Sequence, residues 1–527
     1  MKAKIASLET KRLEIQASLD AAKTQKDRNR LGQFATPTAL ARDVVARALQ
    51  LLGPGEPIRF LDPAVGTGAF YSALRAEVPS KRIKAASGYE IDPHYGLPSS
   101  DLWKGASLDL QISDFTKEPS SSRFNLLICN PPYVRHHHIT ADEKARLQVA
   151  VAKASHTKIG GLSGLYCYFM GLAHAWQSEG AISAWLIPSE FMDVNYGRTL
   201  KHYLLGKVTL LQVHRFDPND VQFEDALVSS AVVFFRNALP PSNHTVAFTF
   251  GGTVVAPREG RSVTAHDLAN EQKWTRFPKS PVRVRNEGPV LSDFFKIKRG
   301  LATGDNNYFI LSQDTIVSRG LPRDVFRPIL PGPRYIPSDE IMADAQGIPL
   351  IKRQLFLLDP NYSENEIAER FPALHSYLEE GKARRMHEGY LCSHRKPWYK
   401  QEKRPAPPIL CTYMGRSDLE KVRPFRFILN HSKATVANVY LALYPTAFLE
   451  HWTKRDPLLM RRIWELLNNI PAPRLLGEGR VYGGGLHKLE PKELANLPIP
   501  EIAQLLPREL IIERQSELFE IAAVAAE

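Results

Sequence analysis

Along residues 32–240, short apolar runs alternate with stretches whose apolar positions recur every three to four residues. The runs Ile58–Leu61, Ala85–Glu90, Phe124–Cys129, Ala181–Ile187 and Val228–Phe235 have the length and texture of buried strands. Between them, Arg42–Leu52 (ended by Gly53-Pro54-Gly55), Phe70–Glu77 and Tyr166–Trp176 carry helical spacing. Strands alternating with helices predict an α/β domain with a parallel, doubly wound sheet over 32–240. Ahead of it, Lys2–Arg30 is rich in Lys, Glu, Gln and Ala with leucines at helical spacing. This predicts an N-terminal helix over 1–31, a solvated leader lying on the surface. Asn237-Ala238-Leu239-Pro240-Pro241-Ser242-Asn243 breaks the pattern as a linker would. From 241 to 527 the texture becomes irregular strands, many prolines, and basic residues mixed with aromatics, which predicts a second, α+β domain.

Composition narrows this picture. A chain of 527 residues is too long for one ordinary core, and 43% hydrophobic with 24% charged residues is the balance of a globular protein. No apolar window is long enough to span a bilayer, and Met1-Lys2-Ala3-Lys4 does not open a signal peptide, so a cytoplasmic protein with no membrane partner is expected. The four cysteines, Cys129, Cys167, Cys392 and Cys411, lie far apart and offer neither a disulfide framework nor a zinc ribbon. His136-His137-His138 has no carboxylate or cysteine at ligand spacing, so no metal site is expected. A net charge of +12 suits a polyanionic partner.

The most informative chemistry follows the run Phe124–Cys129. Asn130-Pro131-Pro132-Tyr133 would sit at a strand's C-terminal edge, where open α/β sheets bind ligands. The Asn130 amide oxygen and the Pro131 carbonyl can both accept from an exocyclic amine, and Tyr133 offers a face for a nucleobase. As a bare tetrapeptide it serves equally well as a rigid turn. Upstream, Asp62-Pro63-Ala64-Val65-Gly66-Thr67-Gly68 follows the first sheet strand and opens a helix, its glycines permitting close backbone approach to a ligand. It lacks the Lys-Ser/Thr of a triphosphate loop. Glu90-Ile91 at the tip of the next strand places a carboxylate for ribose hydroxyls, and Asp114-Phe115 pairs a carboxylate with an aromatic. Each alone is also an ordinary surface turn.

In this order, and preceded by Gly32-Gln33-Phe34-Ala35-Thr36-Pro37, the motifs resemble those of the gamma-class DNA amino-methyltransferases of restriction-modification systems. The resemblance covers roughly the first half of the chain. It implies a Rossmann-like class I methyltransferase domain over 32–240 and a DNA target recognition domain over 241–527. The implied cofactor is S-adenosyl-L-methionine, with Thr36 at its amino-acid end, Asp62, Ala64, Gly66 and Gly68 along its methionine, Glu90 with Ile91 at the ribose, and Asp114 and Phe115 at the adenine. Asn130, Pro131, Pro132 and Tyr133 would hold the target base, Phe223 would stack on its other face, and Phe169 would touch the cofactor. The implied reaction is methylation of the N6 amino group of a flipped adenine in double-stranded DNA by a monomer, protecting that DNA from a cognate restriction endonuclease. No cysteine follows a proline, which excludes the Pro-Cys nucleophile of cytosine-C5 enzymes.

For the second half, mixed basic, amide and aromatic clusters nominate Arg299, Asn306, Trp398, Lys433 and Lys488 as DNA contacts. The alternatives are a methyltransferase acting on RNA or a protein glutamine, and a DNA-binding specificity module without catalysis. The segment Gly32–Pro37 and the long basic second half argue against the first, the intact glycine loop against the second.

Overall fold

The computed structural model describes residues 2–120, 123–217, 229–278, 288–416, 423–482 and 486–506. The chain divides into two compact units, essentially 1–284 and 285–527.

The first unit is built on a nine-stranded sheet in the order β3-β2-β1-β4-β5-β7-β6-β8-β9. Its strands are β1 (Ile58–Asp62), β2 (Ile83–Tyr89), β3 (Asp109–Gln111), β4 (Phe124–Cys129), β5 (Gln177–Pro188), β6 (Thr209–Arg215), β7 (Ser230–Arg236), β8 (Thr245–Gly252) and β9 (Pro257–Thr264). β3, β2, β1, β4 and β5 run parallel, while β7 lies antiparallel between β5 and β6. Its principal helices are α1 (Lys2–Ala21), α2 (Gln25–Leu31), α3 (Thr38–Leu52), α4 (Ala69–Glu77), α5 (Pro93–Trp103), α6 (Ala141–Ser155), α7 (Leu165–Ala173) and α8 (Gly197–Gly206).

Both faces of the sheet are covered, which is why its central strands are apolar almost throughout. On one face Leu40, Val44, Val45 and Ala48 of α3 and Phe70 and Leu74 of α4 pack on Phe60, Leu126, Ile128 and Leu186. On the other, Leu147 and Val151 of α6, Tyr168 and Met170 of α7, and Leu200 and Leu204 of α8 pack on Leu61, Leu127, Cys129 and Trp185. Successive residues of β4 thus point to opposite cores, each buried Leu or Ile contributing about 1.5–3 kcal/mol. This doubly wound sheet has the Rossmann-like class I methyltransferase layout expected.

Two boundaries differ from the sequence reading. The 237–243 break is a turn inside the unit: Val246, Phe248 and Phe250 of β8 are buried, and β8 pairs with β6 and β9, so the sheet continues past 240. The N-terminal segment is two helices, and it is no solvated leader, since Arg12 is 1% and Glu9 9% exposed.

The second unit is α+β. It holds a five-stranded sheet (Phe295–Arg299, Tyr440–Pro445, Ile409–Thr412, Phe427–Asn430, Glu340–Ile341), a four-stranded one (Ile310–Ser312, Leu355–Leu358, Phe326–Leu330, Thr435–Val436) and a three-stranded one (Met414–Arg416, Leu486–Lys488, Arg480–Tyr482). Helices such as Pro372–Ala383 and Leu459–Asn468 cover them.

Candidate active site

β1 pairs with β2 on one side and β4 on the other, so strand order reverses at β1, and the segments leaving β1 and β4 flank the resulting crevice. These segments are Pro63–Gly68 and Asn130–Tyr133.

Gly66 and Gly68 both take positive φ, 53° and 87°. A Cβ at Gly68 would lie 2.4 Å from the Trp103 indole nitrogen, which donates to the Thr67 carbonyl at 2.9 Å; above Gly66 the space is open. The loop is closed onto Glu90: the Gly66 N–H donates to its Oε2 at 3.1 Å and the Asp92 N–H to its Oε1 at 2.9 Å. Asp62 is 1% exposed and accepts from the Ala64 N–H at 3.2 Å. Burial pushes both carboxyls up, Asp62 to about 8 and Glu90 to about 7, against the opposing backbone donors and with a neighbouring negative charge adding to each. A desolvated pair of carboxylates beside an open glycine turn fits a ligand carrying hydroxyl donors and positive charge. Ile91 is 65% exposed and Ile112 37%, two apolar side chains at this edge of the sheet.

The tetrapeptide is gripped by the segment Gly32–Pro37. The Asn130 amide nitrogen donates to the Phe34 carbonyl at 3.0 Å and to Thr36 Oγ1 at 3.1 Å. A carbonyl can only accept, which fixes the orientation of the Asn130 amide. Its Oδ1 is left shielded from solvent with no hydrogen-bond partner among the described residues. The Tyr133 N–H donates to the Gly32 carbonyl at 3.3 Å. Gly32 has φ 67°, and a Cβ there would come 2.3 Å from the Tyr133 nitrogen, so only glycine fits. The Tyr133 ring sits 5.6 Å from that of Phe34, and its hydroxyl donates to the Leu186 carbonyl at 3.0 Å.

The N-terminal helices complete this arrangement, a role the sequence reading missed. From α1, Arg12 donates to Thr67 Oγ1 at 3.1 Å, and Thr67 donates to Gln16 Oε1 at 2.6 Å. Arg12 also pairs with Glu9, which accepts from Ser72 and Thr38. Burial would raise the Glu9 carboxyl, but Arg12, Ser72 and Thr38 together hold it at about 2. Lys23 and Gln33 both donate to Asp92, the residue that caps α5. No apolar stripe announced this packing because the buried face of α1 is polar; the one available signal was a Glu-x-x-Arg-x-x-x-Gln spacing along one helix face.

Other nominated residues take different places. Phe115 is 3% exposed, packed 5.5 Å from both Tyr89 and Phe169 and 5.4 Å from Trp176; it is a core residue, and the exposed apolar surface at this edge belongs to Ile91 and Ile112. Asp114 caps a short turn, accepting from Thr116 and facing Lys117 at 3.2 Å. Phe223 lies outside the described residues.

In the second unit, Arg299 and Lys488 converge on the Tyr413 ring, 4.1 and 5.1 Å from its centre, and Lys488 also pairs with Glu490 at 2.8 Å. Asn306 is exposed and accepts from Thr303 at 2.7 Å; Lys433 is exposed. Trp398 is a correction. It is 7% exposed and packs among Tyr308, Phe309 and Tyr399, so its position beside basic residues in sequence reflects core packing, not an interface.

Among the described residues no helix is long and apolar enough to cross a membrane. Residues 92–222 match the Eco57I restriction-modification methylase family, and residues 280–523 match the C-terminal domain of the type II methyltransferase M.Eco57I. The chain is 28% identical over 486 residues to the type II methyltransferase M.XamI of Xanthomonas campestris pv. amaranthicola, covering 90% of this chain and 86% of that protein. It is 24% identical over 487 residues to M.AccI of Acinetobacter calcoaceticus, covering 89% and 85%. Among solved structures, the type IIL restriction-modification enzyme MmeI in complex with DNA aligns at a TM-score of 0.49 and 13% identity, covering 98% of this chain and 77% of that one.

Proposed function

We propose that this chain, which belongs to the Eco57I-type restriction-modification methylases, methylates the N6 amino group of an adenine flipped out of double-stranded DNA, using S-adenosyl-L-methionine. The observation that carries the reading is the Asn130 amide: both nitrogen donors are engaged and a buried oxygen is left to accept from an amine. An unsatisfied buried acceptor costs about 1–3 kcal/mol in the free protein, a cost that a ligand N–H would remove.

Each residue has a stated task. Glu90, ionised and already accepting from two backbone N–H groups, would receive the ribose hydroxyls, with Ile91 and Ile112 offering apolar surface to the cofactor's adenine. Asp114 retains an exposed edge for an amino group, and the open turn at Gly66 admits the methionine portion, with Asp62 beneath. Bound S-adenosylmethionine supplies an electrophilic methyl group on a sulfonium. Asn130 Oδ1 and the Pro131 carbonyl accept from the target NH₂, which holds the nitrogen lone pair toward the cofactor side. Tyr133, fixed through its hydroxyl to Leu186, supplies a stacking face worth about 1–3 kcal/mol, which offsets part of the unstacking cost of roughly a few kcal/mol. Rate acceleration comes from this positioning, with no covalent intermediate on the protein. Thr36, expected at the cofactor, acts here by orienting Asn130. The second unit supplies DNA recognition, with Arg299, Asn306, Lys433 and Lys488 as contacts, and a cognate endonuclease is the functional partner of a cytoplasmic monomer.

The test is Asn130→Ala. Methyl transfer to DNA should fall by about a hundredfold or more, while calorimetric affinity for S-adenosylmethionine stays near wild type. Transfer at the wild-type rate would remove the basis of the assignment.

A further inference from the structure

The second unit contains a cavity of about 380 Å³ whose walls include Asn307, Arg319, Leu355, Tyr377, Arg353 and Arg384. Three guanidinium groups from separate segments therefore border one space. They follow the helix Gln313–Ser318, precede the strand Leu355–Leu358 and follow the helix Pro372–Ala383.

The arginines are held by aromatic rings. Arg319 lies 5.1 Å over Tyr377, Arg384 5.8 Å over Tyr308 and Arg353 4.1 Å over Tyr335. Tyr308 and Tyr377 are stacked, ring centres 4.8 Å apart and 12° from coplanar, and each hydroxyl donates to the other's backbone carbonyl at 2.9 and 2.7 Å. This support is rigid, so little side-chain freedom remains to be lost on binding an anion. Arg319 is neutralised by Glu380 at 2.8 Å. Among the described residues, Arg353 and Arg384 have no carboxylate partner, so two ring-held positive charges at the cavity are uncompensated.

Their chemistry selects an oxyanion, since guanidinium groups match phosphate oxygens in a planar, bidentate way. A lone phosphate would not fill the space. A volume of about 380 Å³, with Leu355 and Tyr377 as apolar wall, is within the range that encloses a small organic ligand.

We propose that this cavity binds a sugar-phosphate unit through Arg353 and Arg384, with Asn307 at its mouth. If the DNA reading of the protein holds, that unit belongs to the backbone of the substrate duplex. The shared chemistry is a phosphate ester, and a free nucleotide would offer the same group.

The experiment uses the full chain carrying Arg353→Gln and Arg384→Gln together. Both residues are exposed, so the thermal midpoint should not move. Duplex DNA binding by fluorescence anisotropy across a salt series should weaken roughly tenfold, and the slope of log K against log salt should fall by about two, one per lost phosphate contact. The Arg353→Lys, Arg384→Lys pair, which retains charge, should restore the slope. Calorimetry with deoxyadenosine monophosphate forms the second arm. Loss of nucleotide binding with DNA binding untouched would keep the site and assign it to a free nucleotide. Unchanged affinity in both arms overturns the site, whereas wild-type protein that binds no duplex DNA would overturn the DNA reading instead.

Discussion

The crevice between β1 and β4 and the second unit draw on similar polar and aromatic residues, yet they commit them differently. At the crevice, backbone and neighbouring groups occupy the positions that hold the side chains, leaving free the atoms a ligand would use: the Asn130 oxygen, the exposed Ile91, the open space over Gly66. In the second unit, most of the basic and aromatic residues that stand out in sequence are consumed by the fold. Trp398 is in the core, Arg395 donates to the Thr303 and Ala302 carbonyls at 2.8 and 2.6 Å, and Lys488 pairs with Glu490. A doubly wound sheet places its motifs by topology, so residue type and order suffice to locate a site there. An irregular α+β unit has no such rule, and residue type alone does not separate an interface from a scaffold.

The largest effect expected on this contrast comes from Arg12→Ala. It leaves Glu9 buried without its cation and should lower stability by about 3–5 kcal/mol, read by denaturant unfolding. Glu9→Gln with Arg12→Met removes both charges and should recover much of that stability while still weakening S-adenosylmethionine binding, because Thr67 loses its donor. If the double variant binds cofactor normally, α1 is only a buttress and the crevice is less tightly built than described. Trp398→Ala is the matching change in the second unit. It should cost about 3–5 kcal/mol through the cavity it creates, with DNA affinity near wild type under folding conditions; the reverse pattern would restore Trp398 to the interface.

A smaller effect concerns pH. Burial raises Glu90 to about 7 and Asp62 to about 8, above their unfolded values near 4. In the ligand-free protein their contribution to stability is therefore fully present below about pH 4 and is lost as pH rises through about 7 to 8. Ribose hydroxyls donate to an ionised Glu90, so affinity for S-adenosylhomocysteine, which lacks the sulfonium charge, should tighten up to about tenfold between pH 6 and 8. Calorimetry at the two values checks this, and Glu90→Gln should flatten the profile. Smallest of all, Lys488→Ala should change stability by less than about 1 kcal/mol, as a partly exposed pair does, and any effect should fall on DNA affinity.

What could be read from sequence follows the same division. The run Phe124–Cys129 became β4 with those bounds because it is apolar on both faces and stopped by two prolines. Gly32 was legible as part of a motif, although its physical reason, contact with the Tyr133 nitrogen, needed coordinates. Residues Glu9, Arg12 and Gln16 were missed because helix periodicity detects apolar faces and theirs is polar. The 240 boundary was missed because Pro240-Pro241 reads alike as linker and as tight turn, while the alternation of Val246, Phe248 and Phe250 just beyond it marked one more strand. Phe115 and Trp398 went astray for one reason: an aromatic beside charged residues in sequence is not thereby beside them at a surface.

The most direct measurement is transfer of labelled methyl groups from S-adenosylmethionine to unmethylated duplex DNA, followed by nucleoside analysis of the product. Label recovered as N6-methyladenine is the expected result. Label in cytosine, or on RNA or protein with DNA left unmodified, would contradict the assignment of the Asn130 crevice to a flipped adenine.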